Sequence, residues 1–279
     1  MSKPLTMQAL ATIGKDWSGA SETREAHLQA TKDFASFAQD KFALESIKNL
    51  KPNHVESYVA DMKERGLSNG TMCNRMTAVR ELAEAIGKRN IVERENSEYG
   101  INRGTRQNPV LQNTEKLNEI RATIAERANA GDRVAMMCHA AAELRDAFGL
   151  RAKESLMSSK LVAGIQSLIV EGAKGGRERI LPPMNERQIQ AAVQIALVSK
   201  ALGSGTGRII PPKMSLKQAY NAQRTLWREL GGTRENRANM HTSRHAVAQE
   251  MHATGTPNGE IMERLGHSSD RSPFCYIPR

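Results

Sequence analysis

Apolar residues recur at intervals of three and four over most of this chain, the spacing of amphipathic helices rather than of strands. Leu28, Thr31, Phe34, Ala35 and Ala38 trace one such face after Ser21. Ile47, Leu50, Val55, Tyr58 and Met62 trace a second, around Pro52 and ending near Gly66. Met72, Met76, Val79, Leu82, Ala83 and Ile86 form a third, which Gly87 is suited to close. No alternating stretch interrupts them, so residues 21–100 are predicted to be a small all-helical domain. Residues 1–20 are weakly patterned and read as an N-terminal arm. The run 101–114 is polar, basic and poorly periodic, and reads as a linker.

The helical pattern returns in 115–279. Helices are expected over about 117–130, 132–148, 186–200 and 215–230, with a final helical cluster within 242–276. Val134, Met137, Ala141, Leu144 and Phe148 line one face of the second, and Gly149 can end it. One strand pair stands out. Residues 165–170 favour strand, 172–176 are rich in glycine, and 177–181 alternate before Pro182-Pro183 stops them. The expected fold class is mainly α: a helical N-terminal domain, then a mixed, α-rich domain with a small antiparallel β-hairpin.

Composition narrows the function. Among 279 residues, 40 Lys+Arg against 30 Asp+Glu give a net charge of +10, which favours a polyanionic partner. Cys73, Cys138 and Cys275 are scattered and odd in number, against both a disulfide framework and a structural zinc site. The N-terminal Met1-Ser2-Lys3-Pro4 lacks the apolar core of a signal peptide. No apolar run approaches the roughly 18 residues that would suggest a membrane span. A reduced, cytoplasmic location is therefore expected.

Four segments carry candidate chemistry. They are Phe148-Gly149-Leu150-Arg151-Ala152-Lys153-Glu154, Gly172-Ala173-Lys174-Gly175-Gly176-Arg177, His241-Thr242-Ser243-Arg244-His245 and Leu265-Gly266-His267-Ser268-Ser269. Each alone is commonplace. An arginine after a helix is usually solvated, and a Lys-Gly-Gly turn is usually only a hairpin tip. Their order and spacing matter: Arg244 precedes His267 by 23 residues, and Tyr276 follows His267 by 9.

In that order they resemble the catalytic core of the tyrosine recombinases, the phage-type integrase family. The resemblance spans about 115–276. Residues 21–100, with Arg65-Gly66-Leu67-Ser68-Asn69-Gly70-Thr71, look like the family's SAM-like core-binding domain. It implies a site-specific recombinase or integrase that cuts and rejoins DNA through a 3′-phosphotyrosyl intermediate, in integration or excision of a mobile element or phage. Tyr276 would be the nucleophile. Arg151 and Arg244 would grip the non-bridging phosphate oxygens, for which a planar, permanently charged fork suits better than lysine. Lys174 would protonate the leaving 5′-oxygen. His241 would take or support transfer of the tyrosine proton, since a free phenol ionises only near about pH 10. His267 would hydrogen-bond a phosphate oxygen, and Glu154 would support the first arginine or the histidine box. Neither a metal nor a nucleotide cofactor is implied.

The implied partners are double-stranded DNA, further copies of the chain as a homo-tetramer on paired sites, and accessory DNA-bending proteins, in a nucleoid-associated, cytoplasmic setting. Tyr58, Tyr99 and Tyr220 lack the offset from His267 and read as packing or border residues; His245 reads as packing. Many family members continue past the tyrosine with a helix that docks into a neighbouring subunit. Ile277-Pro278-Arg279 cannot form one, so coupling through another surface, or a truncated chain, is implied. Two alternatives stay open: a type IB topoisomerase-like relaxing enzyme, and a non-catalytic DNA-binding relative.

Overall fold

The computed structural model describes residues 3–14, 21–102, 111–157, 160–161, 167–172, 178–204, 208–267 and 276, without the side chains of 21, 22, 160 and 161. The chain divides into two compact units, Met1–Thr105 and Arg106–Arg279.

The first unit contains α1 (Leu5–Ile13), α2 (Ser21–Phe42), α3 (Pro52–Glu64) and α4 (Asn69–Ala85). The apolar faces read from the sequence meet in one core, with Phe34, Tyr58, Met62, Met76 and Leu82 buried. Ser68 caps α4 by accepting a hydrogen bond from the Thr71 backbone N–H. Tyr58 is a packing residue whose hydroxyl donates to Asp33 at 2.7 Å. The N-terminal arm reading needs correction over Leu5–Ile13. That segment is a helix, and Leu5 and Ala9, four apart, are buried against α2 and α4. Two contact positions are too few to register as a period. The Gln8 side chain adds hydrogen bonds to Lys3 and Glu45 carbonyls.

The second unit contains α5 (Thr114–Asn129), α6 (Arg133–Phe148), α7 (Ala152–Met157), β1 (Lys160–Leu161), β2 (Leu168–Val170), β3 (Arg179–Leu181), α8 (Glu186–Leu202), α9 (Leu216–Glu229), α10 (Thr242–Ala253) and α11 (Asn258–Leu265). Helix α6 is its axis: α5, α7, α8, α9 and α10 all pack on it. Its alanines at 135, 140, 141, 142 and 147 are buried on several sides, as a central helix requires. Asp132 caps it through the Val134 and Ala135 N–H groups. The strands form an antiparallel sheet in the order β1-β2-β3, with Val170 opposite Arg179 and Leu168 opposite Leu181. The sequence reading found the β2–β3 pair and not β1, whose two residues cannot show an alternation. The final helical cluster divides at Gly255 (φ +81°) and Pro257 into α10 and α11. Among the described residues, no helix is long and apolar enough to cross a membrane.

Two helix ends turn towards each other. Helix α6 stops at Gly149 (φ +66°) and α11 at Gly266 (φ +62°), both left-handed. A Cβ on Gly149 would lie 2.8 Å from Leu265 Cδ2 and 3.2 Å from Val247 Cγ1. The ends of α6 and α11 and the flank of α10 therefore meet with no room for one methyl group. Gly149→Ala is expected to lower stability by about 2–4 kcal/mol in urea denaturation, from the left-handed backbone and the overpacking together. Gly203→Ala is the control, because Gly203 has the same backbone (φ +67°) and open space around it. It should cost only about 1–2 kcal/mol. Equal losses would show that close packing at Gly149 contributes nothing.

Candidate active site

The first motif is a helix end followed by a helix start. Gly149 closes α6, Arg151 precedes α7, and Glu154 is the third residue of α7. From there the Glu154 carboxylate reaches back and accepts from the Arg151 backbone N–H at 2.8 Å, half of a capping box. Its other oxygen accepts from Arg151 Nη1 at 2.7 Å. The spacing from Arg151 to Glu154 is thus set by helix-capping geometry. The side chain of Glu154 has no exposed surface, while Arg151 keeps 31% of its own.

Arg244 lies on α10, three residues after His241, so both project from one face. Its side chain is fully buried. Nη1 donates to the Gly149 carbonyl at 2.8 Å, and Nη2 donates to the Leu265 carbonyl. These are carbonyls that the ends of α6 and α11 leave without helical partners. Nη2 also lies 2.9 Å from His267 Nε2, and Nη1 lies 3.9 Å from the Glu154 carboxylate.

The fourth motif is a helix cap as well. Gly266 N–H donates to Glu263 and His267 N–H to Met262, a Schellman arrangement that turns the chain and delivers His267 beside Arg244. The Tyr276 ring stacks on His267 (centroids 5.2 Å apart, planes 18° apart) and lies 4.5 Å from the His245 ring. The Arg244 guanidinium carbon is 5.8 Å from the ring centre. The Tyr276 hydroxyl is 3.3 Å from His241 Nε2. Arg151, Glu154, His241, Arg244, His267 and Tyr276 therefore form one cluster, although 125 positions separate the first from the last. Lys174 lies outside the described residues; β2 and β3 flank its segment. Tyr58 and Tyr99 belong to the other unit, and Tyr220 packs on the α6 core with Lys153 Nζ 5.0 Å from its ring centre.

One residue of the cluster escaped the sequence reading. Arg179, at the start of β3, donates through Nη1 and Nη2 to the two Glu154 oxygens (3.3 and 3.1 Å) and through Nε to the Arg264 carbonyl (2.9 Å). The alternation around it marks a strand, and nothing local marks its partner. His245, read as packing, does pack, with its ring against Tyr276.

Charge and burial tune the site. Burial alone would raise the Glu154 pKa, but hydrogen bonds and charge from Arg179, then from Arg151, outweigh it and bring it down to about 2. Burial, then the charges of Arg244, Arg151 and Arg179, push His267 down to about 3, so its imidazole is neutral at physiological pH. A guanidinium only donates, so Nε2 accepts from Arg244 and the ring proton sits on Nδ1. Burial lowers Arg244 to about 10, which leaves it charged at neutral pH.

Comparison with known proteins places this geometry. A family model described as "Phage integrase, N-terminal" matches residues 1–92, and one described as "Integrase" matches residues 106–250. Tyrosine recombinase XerD of Rhizobium meliloti (strain 1021) is 23% identical over 290 residues, covering 99% of this chain and 91% of that protein. Tyrosine recombinase XerD of Caulobacter vibrioides is 29% identical over 244 residues, covering 80% and 75%. The fold matches a lambda integrase(75-356) dimer bound to a COC′ core site, with a TM-score of 0.69 at 14% identity, covering 99% and 95%. The chain belongs to the phage-type integrase family, the tyrosine recombinases. It is a site-specific recombinase, a DNA strand-transferase.

The depressed Glu154 pKa has a signed consequence. A carboxyl held below its ordinary value contributes stability that is fully present above about pH 4.5 and is lost as pH falls towards 2. Acid unfolding of the wild type should steepen across that window, and Glu154→Gln should remove that part of the slope. Identical pH dependence in both proteins would show that the carboxylate is not held as described.

Proposed function

We propose that Tyr276 attacks the scissile phosphorus of a DNA strand with its hydroxyl oxygen. The P–O bond to the 5′-oxygen breaks, leaving a 3′-phosphotyrosyl link and a free 5′-hydroxyl. The phenolic proton passes to His241 Nε2, and Lys174 supplies a proton to the departing 5′-oxygen. Attack by the 5′-hydroxyl of another strand reverses the step and rejoins the DNA. Bond energy is held in the phosphotyrosine throughout, so the cycle is balanced without an external energy source.

The single observation that carries this reading is the Tyr276 hydroxyl 3.3 Å from His241 Nε2, with Arg244 and His267 beside the same ring. A positioned acceptor is what a phenol needs in order to act at neutral pH. Arg151, a third exposed, is the guanidinium open to an incoming phosphate. Arg244 lies beneath the Tyr276 ring, so phosphate entry replaces that ring contact with an oxygen contact. His267, neutral beside Arg244, hydrogen-bonds a second oxygen. Two guanidinium forks and a neutral donor suit a transition state whose charge spreads over the non-bridging oxygens.

The helical unit, essentially residues 21–100, adds to the hold on the duplex, and the basic surplus of the chain serves the phosphate backbone. Exchange between two duplexes requires four strand cuts, and one tyrosine per chain then requires four chains, a homo-tetramer on paired sites. The chain works on DNA in the cytoplasm, in integration or excision of a mobile element.

On a nicked suicide substrate, wild type should accumulate a covalent protein–DNA adduct. Tyr276→Phe should lower it by at least roughly a thousandfold while DNA binding persists. An undiminished adduct in the phenylalanine variant would remove Tyr276 from the role. A two-site recombination assay run beside plasmid relaxation separates recombinase from topoisomerase; exchange of flanking markers is the expected result.

A further inference from the structure

Arg179 is the guanidinium of the cluster that has no part in the cleavage step proposed above. Only 10% of its side chain is exposed, and all three of its nitrogens are engaged within the protein. Unlike Arg244, whose guanidinium lies over the Tyr276 ring, it engages Glu154 and the end of α11. We propose that Arg179 is a positioning residue for strand cleavage: it neutralises the buried Glu154 and fixes the end of α11, so that Arg151 and Arg244 keep their charge for the phosphate. This rests on the assignment of the phosphate site to Arg151 and Arg244.

Glu154 contacts three guanidinium groups, those of Arg151, Arg179 and Arg244. Three cations and one carboxylate leave two positive charges, against a phosphodiester of charge −1 whose transition state concentrates negative charge on its oxygens. With Arg179 present, both carboxylate oxygens are already held by its fork. Without it, the carboxylate cancels Arg151, and a single positive charge faces the phosphate. Arg179 also takes the Arg264 carbonyl, and Gly266 packs on its guanidinium so closely that a Cβ would lie 2.8 Å from Nη1. His267 follows directly. Arg179 stands opposite Val170 at the base of the segment carrying Lys174, so one side chain ties that hairpin to the turn presenting His267.

The test is single-turnover cleavage of a nicked duplex by the full chain, with DNA affinity measured alongside. Arg179→Gln should slow cleavage on the order of a hundredfold, the scale of losing one transition-state donor, with affinity changed less than about threefold. Adding Glu154→Gln to it removes the carboxylate as well and restores the charge count, so the double variant should cleave at least about tenfold faster than the single one. A purely structural arginine predicts the reverse, since a second lesion would compound the first. Arg179→Lys, which keeps the charge and loses the fork, should fall between wild type and Arg179→Gln. Cleavage by Arg179→Gln within about threefold of wild type overturns the proposal. A double variant that binds DNA and cleaves no faster than the single one overturns it too. Should Arg179→Gln fail to fold, the double variant, which leaves no buried carboxylate short of its partner, is compared with wild type: cleavage within about thirtyfold supports the proposal, and slower or absent cleavage with binding intact sinks it. Absence of any adduct in wild type would refute the phosphate site itself, a failure separate from these.

Discussion

Three successive carbonyls at the end of α11 each accept a hydrogen bond from a different arginine: Arg264 from Arg179, Leu265 from Arg244 and Gly266 from Arg151. A helix end leaves such carbonyls without partners and carries the negative pole of its dipole, so cations gather there. Guanidinium groups packed this closely repel one another, and the buried carboxylate of Glu154 is what holds them together. That carboxylate in turn is tolerable only because it accepts four hydrogen bonds, two from Arg151 and two from Arg179. Remove the helix end, or the anion while all three guanidinium groups stay, and β3, α7 and α10 lose the reason to meet at one point.

Function follows from that mutual dependence. In the proposed cleavage step the arginines are aimed before DNA arrives, so little reorganisation is required when charge develops on the phosphate. Burial, added to by their combined field, keeps His267 neutral, a hydrogen-bonding group rather than a further cation. The same field surrounds the Tyr276 ring, whose hydroxyl has His241 within reach. Two left-handed glycines, Gly149 and Gly266, let the backbone come close enough for side chains from four elements to share one site.

Much of this was legible in the sequence, for physical reasons. The helical faces of α2, α3, α4 and α6 repeat over several turns, and most of the positions the periodicity picks out are buried, among them Phe34, Tyr58, Met76 and Leu144. Arg151, Glu154, His241, Arg244, His267 and Tyr276 could be singled out because their spacing matches a family pattern, and the structure brings them together. What stayed hidden depends on contact rather than period. Helix α1 buries only Leu5 and Ala9, and β1 has two residues. Arg179 shares a strand pattern with its neighbours, and its partners are 25 and 85 positions away. The full burial of Arg244 was equally hidden, since an arginine in a polar motif reads as solvated until two helix ends close over it.

Mass mapping of the trapped protein–DNA adduct tests the central claim most directly. After proteolysis and nuclease trimming, the nucleotide should remain on Tyr276 of the peptide that contains it, joined through a 3′-phosphate. A nucleotide on Tyr220, on any other residue, or joined through a 5′-phosphate would contradict it.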